Sequence, residues 1–514
     1  MNDTQPGSVR RGAVTAGVMV GMFLAALEAT VIGTAMPTVI TALGGLEHYS
    51  WVFSGYLLTS TVTVPLWGKL SDLYGRGPIY QLGIGMFLLG SALSGAAMSM
   101  GQLIAFRAIQ GIGAGALVPL AMTIIGDLYT PQERAHMQGW FSAVWGTASV
   151  IGPLAGGYIT DALSWRWVFF INLPIGIVAA VVVGLTLPPP ARKTVEIDYA
   201  GAAFLTAACT LLLVAVGQGI GVDTPLARIG VLALAGVLFA IFLRIEAKAH
   251  DPLIPLDLWS NRVVSASVAA GGLIGVGMFG VITYVPLFAQ GVQGVDATRA
   301  GSLLTPLMVS WVLMSMVGGR ALLKIGYRAT AVAGILVQLV GFMFLARVSA
   351  ATTRGELQAA MVLVGAGLGL TMLTLLIAVQ HAVPAARRGV ATSLNQFARS
   401  VGGAVGVAVL GALLSAATGV ALGSGEGAPA RHATHEAGGL AALMNPATRA
   451  ALPPAERHEL ESRLAGALAR VFLAAGLATL GALALALMIP REAGVVGAAE
   501  NPADGPPEPA LDMH

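Results

Sequence analysis

Long apolar runs separated by short polar loops repeat along the chain. The run GMFLAALEATVIGTAMPTVI at residues 21–40 is typical, and it is long enough to form part of a membrane-crossing helix. The runs are continuous and rich in Gly, Ala and Leu, which favours spanning helices over the short alternating strands of a membrane β-barrel. Fourteen runs can be distinguished, at residues 14–40, 51–67, 79–99, 102–125, 137–160, 168–187, 199–218, 227–245, 263–289, 300–318, 329–347, 357–381, 392–417 and 465–489.

Composition supports the same class of protein. Of the 514 residues, 56% are hydrophobic and only 10% are charged, whereas a soluble globular domain has about 25% charged residues. The chain is therefore predicted to be an all-α, multi-pass membrane protein. A net charge of +3 without a basic tail gives no indication of a nucleic-acid partner, and the single Cys209 cannot form an intrachain disulfide.

The N-terminus carries Arg10 and Arg11 immediately before the first apolar run. A cleaved signal peptide has a similar start, but this run continues past residue 38 without an evident cleavage site, so we interpret it as an uncleaved first span. With the N-terminus inside, most Lys and Arg residues near loop ends fall on the cytoplasmic side. The positive-inside rule therefore predicts a protein of the cytoplasmic membrane with both termini in the cytoplasm. The short outer loops hold Arg166, Arg228, Arg299, Arg347 and Arg354.

Two loops are alike in pattern and in position. The segments GKLSDLYGRG at 68–77 and GGRALLKIGYR at 318–328 each place small residues, then charge, then Gly and a basic residue between two spans. Each loop follows the second helix of a six-helix set if spans seven and eight are an insertion, an arrangement typical of transporters built from repeated halves. The predicted units are an N-terminal six-helix bundle at 1–187, a linker with two inserted helices at 188–262, a C-terminal six-helix bundle at 263–490 and a disordered cytoplasmic tail at 491–514.

Two polar segments interrupt the sequence of spans. The first, PPPARKTVEID at 188–198, is predicted to be a proline-rich cytoplasmic linker. The second is a long outer loop at 418–463, which begins Gly-rich and ends with a predicted short polar helix near 453–463.

Five motifs, taken together, resemble the signatures of one transporter family. They are LEATVIGTAMPTV at 27–39, GKLSDLYGRGPIY at 68–80, RAIQGIGAGALVP at 107–119, GTASVIGPLAGGYI at 146–159 and WRWVFFINLPIG at 165–176. The chain resembles the major facilitator superfamily over about residues 13–490, and within it the fourteen-span drug:proton antiporter group of multidrug efflux type. The chain departs from that group's signatures in two places. Glu28 stands where the group usually has Asp. In the motif at 146–159 the first glycine is displaced, and position 148 is Ala.

The resemblance implies that spans one and four line a central cavity and that Glu28 and Arg107 take part in proton coupling. Burial disfavours the charged form of an acid, so Glu28 could take up a proton from outside and release it inside, in competition with a cationic substrate. At a helical rise of 1.5 Å per residue, Arg107 lies about 10 Å and Glu28 about 18 Å below the outer surface, which leaves a direct or a water-bridged pair open. The alternatives are a permanently neutral Glu28 and an Arg107 that extends to the outer interface.

The resemblance also implies a conformational latch and an antiporter hinge. The alternatives are an ordinary solvated turn for the latch and ordinary packing of small residues for the hinge. The predicted latch residues are Gly68, Asp72, Gly75, Arg76 and Asp127, with Arg76 or Lys69 as the partner of Asp127. The predicted hinge residues are Gly152, Pro153, Gly156 and Gly157.

Polar and aromatic residues within the spans are candidates for a substrate cavity, because aromatic rings receive flat or cationic ligands. Each could instead belong to the core or face lipid. Arg399, which is costly to bury, should face the bundle interior, where it could bind a substrate anion or pair with an acid that the sequence does not identify. The candidates are Gln110, Tyr56, Trp145, Tyr284, Trp311, Asn395 and Arg399.

The predicted function is proton-coupled efflux of amphipathic, often cationic, drugs or antibiotics by alternating access. A same-fold alternative is a dedicated exporter of one endogenous metabolite, and a different class is a membrane sensor or scaffold. No P-loop, metal-ligand cluster or nucleophile–base set is present in the sequence, so no enzyme is predicted. We expect no cofactor beyond the proton gradient, a functional monomer, and partners limited to small-molecule substrate, protons and the lipid bilayer.

Overall fold

The fold is described from a computed structural model, which covers residues 6–129, 131–187, 199–216, 224–249, 256–384, 387–418 and 442–490. Within these ranges all regular structure is helical. The predicted linker at 188–198 and the predicted tail at 491–514 lie outside the described residues, as does the part of the outer loop at 419–441.

The helices fall into three consecutive sets. The N-half consists of α1 (Pro6–Leu43), α2 (Tyr49–Tyr74), α3 (Arg76–Ala96), α4 (Met100–Leu128), α5 (Pro131–Ala162), α6 (Trp167–Phe170) and α7 (Asn172–Thr186). An inserted pair follows, α8 (Tyr199–Val216) and α9 (Pro225–Glu246). The C-half consists of α10 (Arg262–Gly291), α11 (Ala297–Ser302), α12 (Thr305–Leu345), α13 (Arg354–His381), α14 (Arg388–Thr418), α15 (Pro446–Ala451) and α16 (Pro454–Leu487).

Ten helical stretches of the described chain are long and apolar enough to cross a membrane. Helical backbone satisfies its own N–H and C=O groups along most of its length, which is the condition for residence in lipid. These stretches are Arg11–Leu43, Arg76–Ala96, Met100–Ile125, Trp167–Thr186, Leu226–Glu246, Arg262–Gly291, Ala297–Leu345, Arg354–His381, Val390–Thr418 and Pro454–Leu487.

The two similar loops turn out to be single-residue breaks between helices. Gly75, with φ 91° and ψ 150°, separates α2 from α3, and Gly326, with φ 80° and ψ 169°, interrupts α12. The flanking polar residues, predicted as loop, are helical, because a segment that leaves the apolar layer can still keep its own backbone bonds. We call the end of the bundle with these two breaks the Gly75 end, and the opposite end, which carries the α1–α2 turn at Gly45, the Gly45 end.

The repeat extends into the packing of the following helices. A Cβ atom added at Gly113 of α4 would lie 2.2 Å from the backbone nitrogen of Phe87 on α3. One added at Gly367 of α13 would lie 2.7 Å from the backbone nitrogen of Gln338 on the second arm of α12. In each half, a glycine of one helix therefore packs against the backbone of the helix before it, α4 against α3 and α13 against the second arm of α12. Close packing of helices in lipid relies on such small residues.

The inserted pair packs against both halves. Helices α8 and α9 contact each other, and α8 also contacts α2 and α14. The shared apolar cluster includes Trp51 of α2, Leu213 of α8, Phe242 of α9 and Ala408 of α14. The pair therefore covers one side of the junction between the halves.

The end of the outer loop differs from its prediction. Residues 454–463 are helical, but they form the first turns of α16 and not a separate short helix. The helix starts with Pro454 in its first turn, where a missing N–H costs nothing, and i to i+4 pairs such as Glu459 with Arg463 support its polar part.

Candidate functional site

The most deeply buried charges in the described chain lie between α1 and α4. Glu28 of α1 and Arg107 of α4 each keep only 1% of their side-chain surface exposed, and a guanidinium nitrogen of Arg107 directly contacts Glu28 Oε1. The sequence allowed either a direct or a water-bridged pair of Glu28 and Arg107, and the structure shows the direct contact. Each charge is the chief compensation for burying the other.

Further groups complete the surroundings of Arg107. Its Nη1 lies 2.7 Å from Gln110 Oε1, and its Nε donates to Val52 O at 3.4 Å. The guanidinium also stacks on the ring of Tyr56, 4.0 Å from the ring centre. Gln110 and Tyr56, both predicted to line a substrate cavity, are therefore buried partners of Arg107 in this conformation.

The second oxygen of Glu28 has a partner that sequence reasoning missed. Asn172, the first residue of α7, donates from Nδ2 to Glu28 Oε2 at 2.6 Å and to Ser91 Oγ at 3.0 Å. The Ser91 hydroxyl donates onward to Phe169 O at 2.8 Å. Asn172 lies inside the WRWVFFINLPIG motif, and an amide at the start of an apolar run was the available signal.

This arrangement joins three helices at one carboxylate. Glu28 of α1 contacts α4 through Arg107 and α7 through Asn172. Because a charged partner strengthens a hydrogen bond, the contacts among these helices depend on the charge of this carboxylate.

The predicted hinge on α5 forms a seam with two faces. One face meets α1: a Cβ atom added at Gly152 would lie 2.0 Å from Thr30 Oγ1, and one at Gly156 would lie 2.5 Å from Thr34 Oγ1. The other face meets the C-half, where a Cβ atom at Gly157 would lie 2.4 Å from the Cα of Thr298 in α11. Pro153 lies between these faces, and its carbonyl oxygen would be 2.1 Å from a Cβ atom added at Gly301. The motif thus holds three helices at backbone distance.

Hydrogen bonds join the two halves at the Gly45 end. At the end of α5, the Asp161 carboxylate accepts from the backbone N–H of Ala297 at 3.2 Å and of Thr298 at 2.8 Å. Other bonds between the halves are Gln290 Nε2 to Thr34 O at 2.9 Å, Tyr49 Oη to Thr283 O at 2.5 Å and Ser54 Oγ to Ala404 O at 2.9 Å. Together with the glycine seam, these bonds close the Gly45 end.

The predicted latch lies at the Gly75 end. Arg76 Nε is 3.1 Å from Asp127 Oδ2, with 26% and 58% of the two side chains exposed, and Arg76 Nη1 donates to Ser71 Oγ at 2.5 Å. Gly68 is helical and a Cβ atom there would meet nothing within 4 Å. The side chains of Lys69 and Asp72 lie outside the described residues.

The remaining aromatic candidates occupy three different environments. Tyr284 is fully buried and donates to Val407 O at 2.9 Å, so it does not line an open cavity in this conformation. Trp311 is half-buried against an apolar cluster that contains residues of both halves, and 37% of Trp145 is exposed. Tyr284 is therefore enclosed, whereas Trp311 and Trp145 keep exposed surface.

The polar candidates of α14 lie against α10. Asn395 Nδ2 donates to Ser267 O at 3.4 Å, and Arg399 contacts Gln396 Oε1 and Met372 Sδ.

Among the residues described, no group of three or more His, Cys, Asp or Glu side chains is placed to hold a metal ion.

Fold and site together define a multi-pass helical membrane protein with a buried ion pair in its first half. The sequence profile of the Major Facilitator Superfamily matches residues 18–407. Since this match covers most of the chain, the protein belongs to the major facilitator superfamily.

The chain is also similar to curated bacterial transporters. It is 41% identical over 414 residues to the multidrug transporter protein MdtP of Bacillus subtilis, an alignment that covers 80% of this chain and 76% of that protein. It is 34% identical over 474 residues to multidrug resistance protein 3 of the same organism, covering 90% and 92%. Transporters of this superfamily handle small molecules across a membrane, and no catalytic activity is indicated.

Solved structures agree on the fold. A bacterial homolog of the human lysosomal transporter Spinster, in an inward-facing and unoccupied conformation, aligns with a TM-score of 0.66 at 18% identity, covering 96% of this chain and 98% of that one. The POT family transporter PepTSo aligns with a TM-score of 0.61 at 14% identity, covering 93% of this chain and 97% of that one. At these identities the similarity concerns the fold alone.

Proposed function

We propose that the protein exports amphipathic drugs or antibiotics from the cytoplasm in exchange for protons, by alternating access. The observation that carries this proposal is the buried contact between Glu28 and Arg107. A carboxylate at this depth is costly to keep, and within spanning helices such groups mark proton or substrate pathways. No cofactor is needed, because the proton gradient supplies the free energy, and one chain is the functional unit.

We further propose the fourteen-span arrangement of the drug:proton antiporter group. Four helical segments would join the ten apolar stretches: α2, α5, α8 and the second arm of α12 after Gly326. Six spans would then belong to each half, with α8 and α9 as the inserted pair. The similar breaks at Gly75 and Gly326 support this division, because each follows the second span of its half.

In this arrangement the protein lies in the cytoplasmic membrane. Its Gly75 end faces the cytoplasm. The basic residues near that end, among them Arg76, Lys324 and Arg328, support the orientation through the positive-inside rule. The closed Gly45 end then faces outward, and the conformation described is the one that takes up substrate from inside.

The proposed cycle uses Glu28 as the proton carrier. When the Gly45 end opens, a proton from outside neutralises Glu28 and releases Arg107 from its ion pair. The halves then rock, the Gly45 end closes, and the proton leaves toward the cytoplasm as the ion pair reforms. Substrate moves in the opposite direction during the same exchange of conformations.

The names of the two Bacillus relatives favour a multidrug exporter over a dedicated metabolite exporter for this chain. A drug panel tested on a strain with and without the gene separates the two. Resistance to several unrelated compounds supports the multidrug proposal, and loss of one secreted compound without any drug phenotype contradicts it.

Proton coupling is tested in everted membrane vesicles. Glu28→Gln is expected to abolish substrate-induced proton flux and drug accumulation, while the purified variant keeps its helical circular dichroism and elutes as a single species. Glu459→Gln is the matched control, because Glu459 is 63% exposed on the polar start of α16 and pairs only at the surface. Coupled flux at the wild-type level in Glu28→Gln would falsify the proposal.

A further inference from the structure

The charges in the middle of the spanning helices do not balance. In the described part of the chain, the buried or half-buried charged side chains at this depth are Glu28, Arg107 and Arg399. Glu28 and Arg107 neutralise each other by direct contact. Arg399 therefore leaves one positive charge uncompensated.

The surroundings of Arg399 are neutral. One guanidinium nitrogen contacts Gln396 Oε1, another lies 3.7 Å from Met372 Sδ, and the buried Nε has no hydrogen-bond partner. No carboxylate contacts Arg399 among the residues that the structure describes. A guanidinium carries five N–H donors and cannot give up its charge, so this site lacks the anion that such a group requires.

Arg399 belongs to α14, one of the helices at the junction of the two halves. The bond from Ser54 of α2 to Ala404 of α14 marks that junction. Arg399 precedes Ala404 by five residues, so it lies about 8 Å nearer the Gly75 end, with its side chain turned toward Met372 of α13. Tyr56, the ring beneath Arg107, follows Ser54 by two residues in the same direction, about 3 Å along α2. Arg107 in the N-half and Arg399 in the C-half thus lie at similar depth.

We propose that Arg399 binds the anionic group of the transported molecule, an inference that rests on the proposed function. A planar carboxylate or a sulfonate matches the guanidinium fork, and the adjacent thioether of Met372 suits the apolar body of an amphipath. The cargo is then an amphipathic anion. The family resemblance led to an expectation of cationic substrates, but an uncompensated arginine repels a cation and attracts an anion.

A substrate anion at Arg399 leaves the Glu28–Arg107 pair intact. Coupling between proton and cargo therefore runs through the change of conformation and not through direct exchange of charges at one carboxylate. This separates the role of the C-half, which selects the cargo by charge, from the role of the N-half, which carries the proton.

The inference is tested with three fluorescent probes that share a pyrenylalkyl body and differ in the charge of the head group. They are 4-(1-pyrenyl)butyrate, its methyl ester and the matching pyrenylbutyl trimethylammonium. Binding to the full-length protein in detergent is measured by fluorescence anisotropy. The wild type is expected to bind the carboxylate at least about tenfold more tightly than the trimethylammonium, and Arg399→Gln to lose that preference while binding the ester within about twofold. Arg470→Gln, at an exposed arginine of α16, is the matched control and should bind all three as the wild type does.

A wild type that binds the trimethylammonium as tightly as the carboxylate overturns the inference. So does an Arg399→Gln variant that weakens all three probes alike, since that points to packing and not to charge. If Arg399→Gln does not fold, Arg399→Lys is tested instead. Its affinity for the carboxylate should be about fivefold weaker, because an ammonium group cannot make the bidentate contact, and its affinity for the ester should be unchanged. Preferential carboxylate binding without proton-driven transport of any probe contradicts the proposed function alone.

Discussion

The guanidinium of Arg107 and the carboxylate of Glu28 touch in a region where neither side chain keeps more than 1% of its surface exposed. Asn172 holds the second carboxylate oxygen from α7, so three helices of the N-half meet at one acid. The energetic consequence is asymmetric. Removing one member of a buried pair leaves the other charge without its partner, whereas removing both leaves no buried charge.

A double-mutant cycle is therefore expected to be strongly non-additive. Glu28→Gln and Arg107→Met should each destabilise the protein, by about 3–5 kcal/mol where the remaining charge stays buried. The double variant should be more stable than either single one. Thermal inactivation rates of the three purified variants in detergent provide the measurement, and a double variant as unstable as the sum of the two would contradict the direct ion pair.

Asn172 should support transport through its hydrogen bond to Glu28. Asn172→Leu leaves Glu28 Oε2 without this partner, so drug efflux is expected to fall about tenfold. The comparison is with Ser91→Ala, which removes the neighbouring hydroxyl but keeps the bond to Glu28. Equal efflux rates for Asn172→Leu and Ser91→Ala would show that the bond from Asn172 to Glu28 has no special role.

How far the sequence predicts this molecule depends on the kind of feature. Continuous apolar runs located the helices, because lipid demands uninterrupted backbone bonding. Glu28 and Arg107 stood out as charges in such runs, yet their direct contact depends on helix tilt, which residue counting does not give. Asn172 was missed, since an amide in an apolar run suits many roles. The buried position of Tyr284 could not be foreseen either, because each helix face has several neighbours.

The α5 seam should respond sharply to the smallest possible substitution. Gly157→Ala places a Cβ atom 2.4 Å from the Cα of Thr298 and 2.6 Å from the carbonyl oxygen of Ala297, both backbone atoms of the C-half. Overpacking of this kind costs about 1–3 kcal/mol, which favours separation of the halves at the Gly45 end. Spin labels at Leu163→Cys and Ala351→Cys, in a Cys209→Ser background, should show a longer distance and efflux should fall about tenfold.

The control for the seam lies on the same helix. Gly146→Ala meets only Val312 Cγ2, at 3.6 Å, which is an ordinary contact. It is expected to leave the spin-label distance and the efflux rate unchanged. Equal effects of Gly146→Ala and Gly157→Ala would indicate a general loss of helix flexibility and would contradict the seam as the contact that closes this end.

Gly68 and Gly75, both in the loop motif at the Gly75 end, should respond in opposite ways to substitution by Ala. Gly75 has φ 91° and ψ 150°, and Gly326 in the second half has φ 80° and ψ 169°. These values lie in a region that only glycine adopts readily, so Gly75→Ala and Gly326→Ala should each cost about 1–3 kcal/mol and reduce efflux. Gly68 is helical with open space around it, so Gly68→Ala should be tolerated or stabilise α2 by up to about 1 kcal/mol. Thermal stability and efflux of the three variants decide the matter: if Gly68→Ala is as damaging as Gly75→Ala, the motif acts through a contact made in another conformation and not through the backbone of this break.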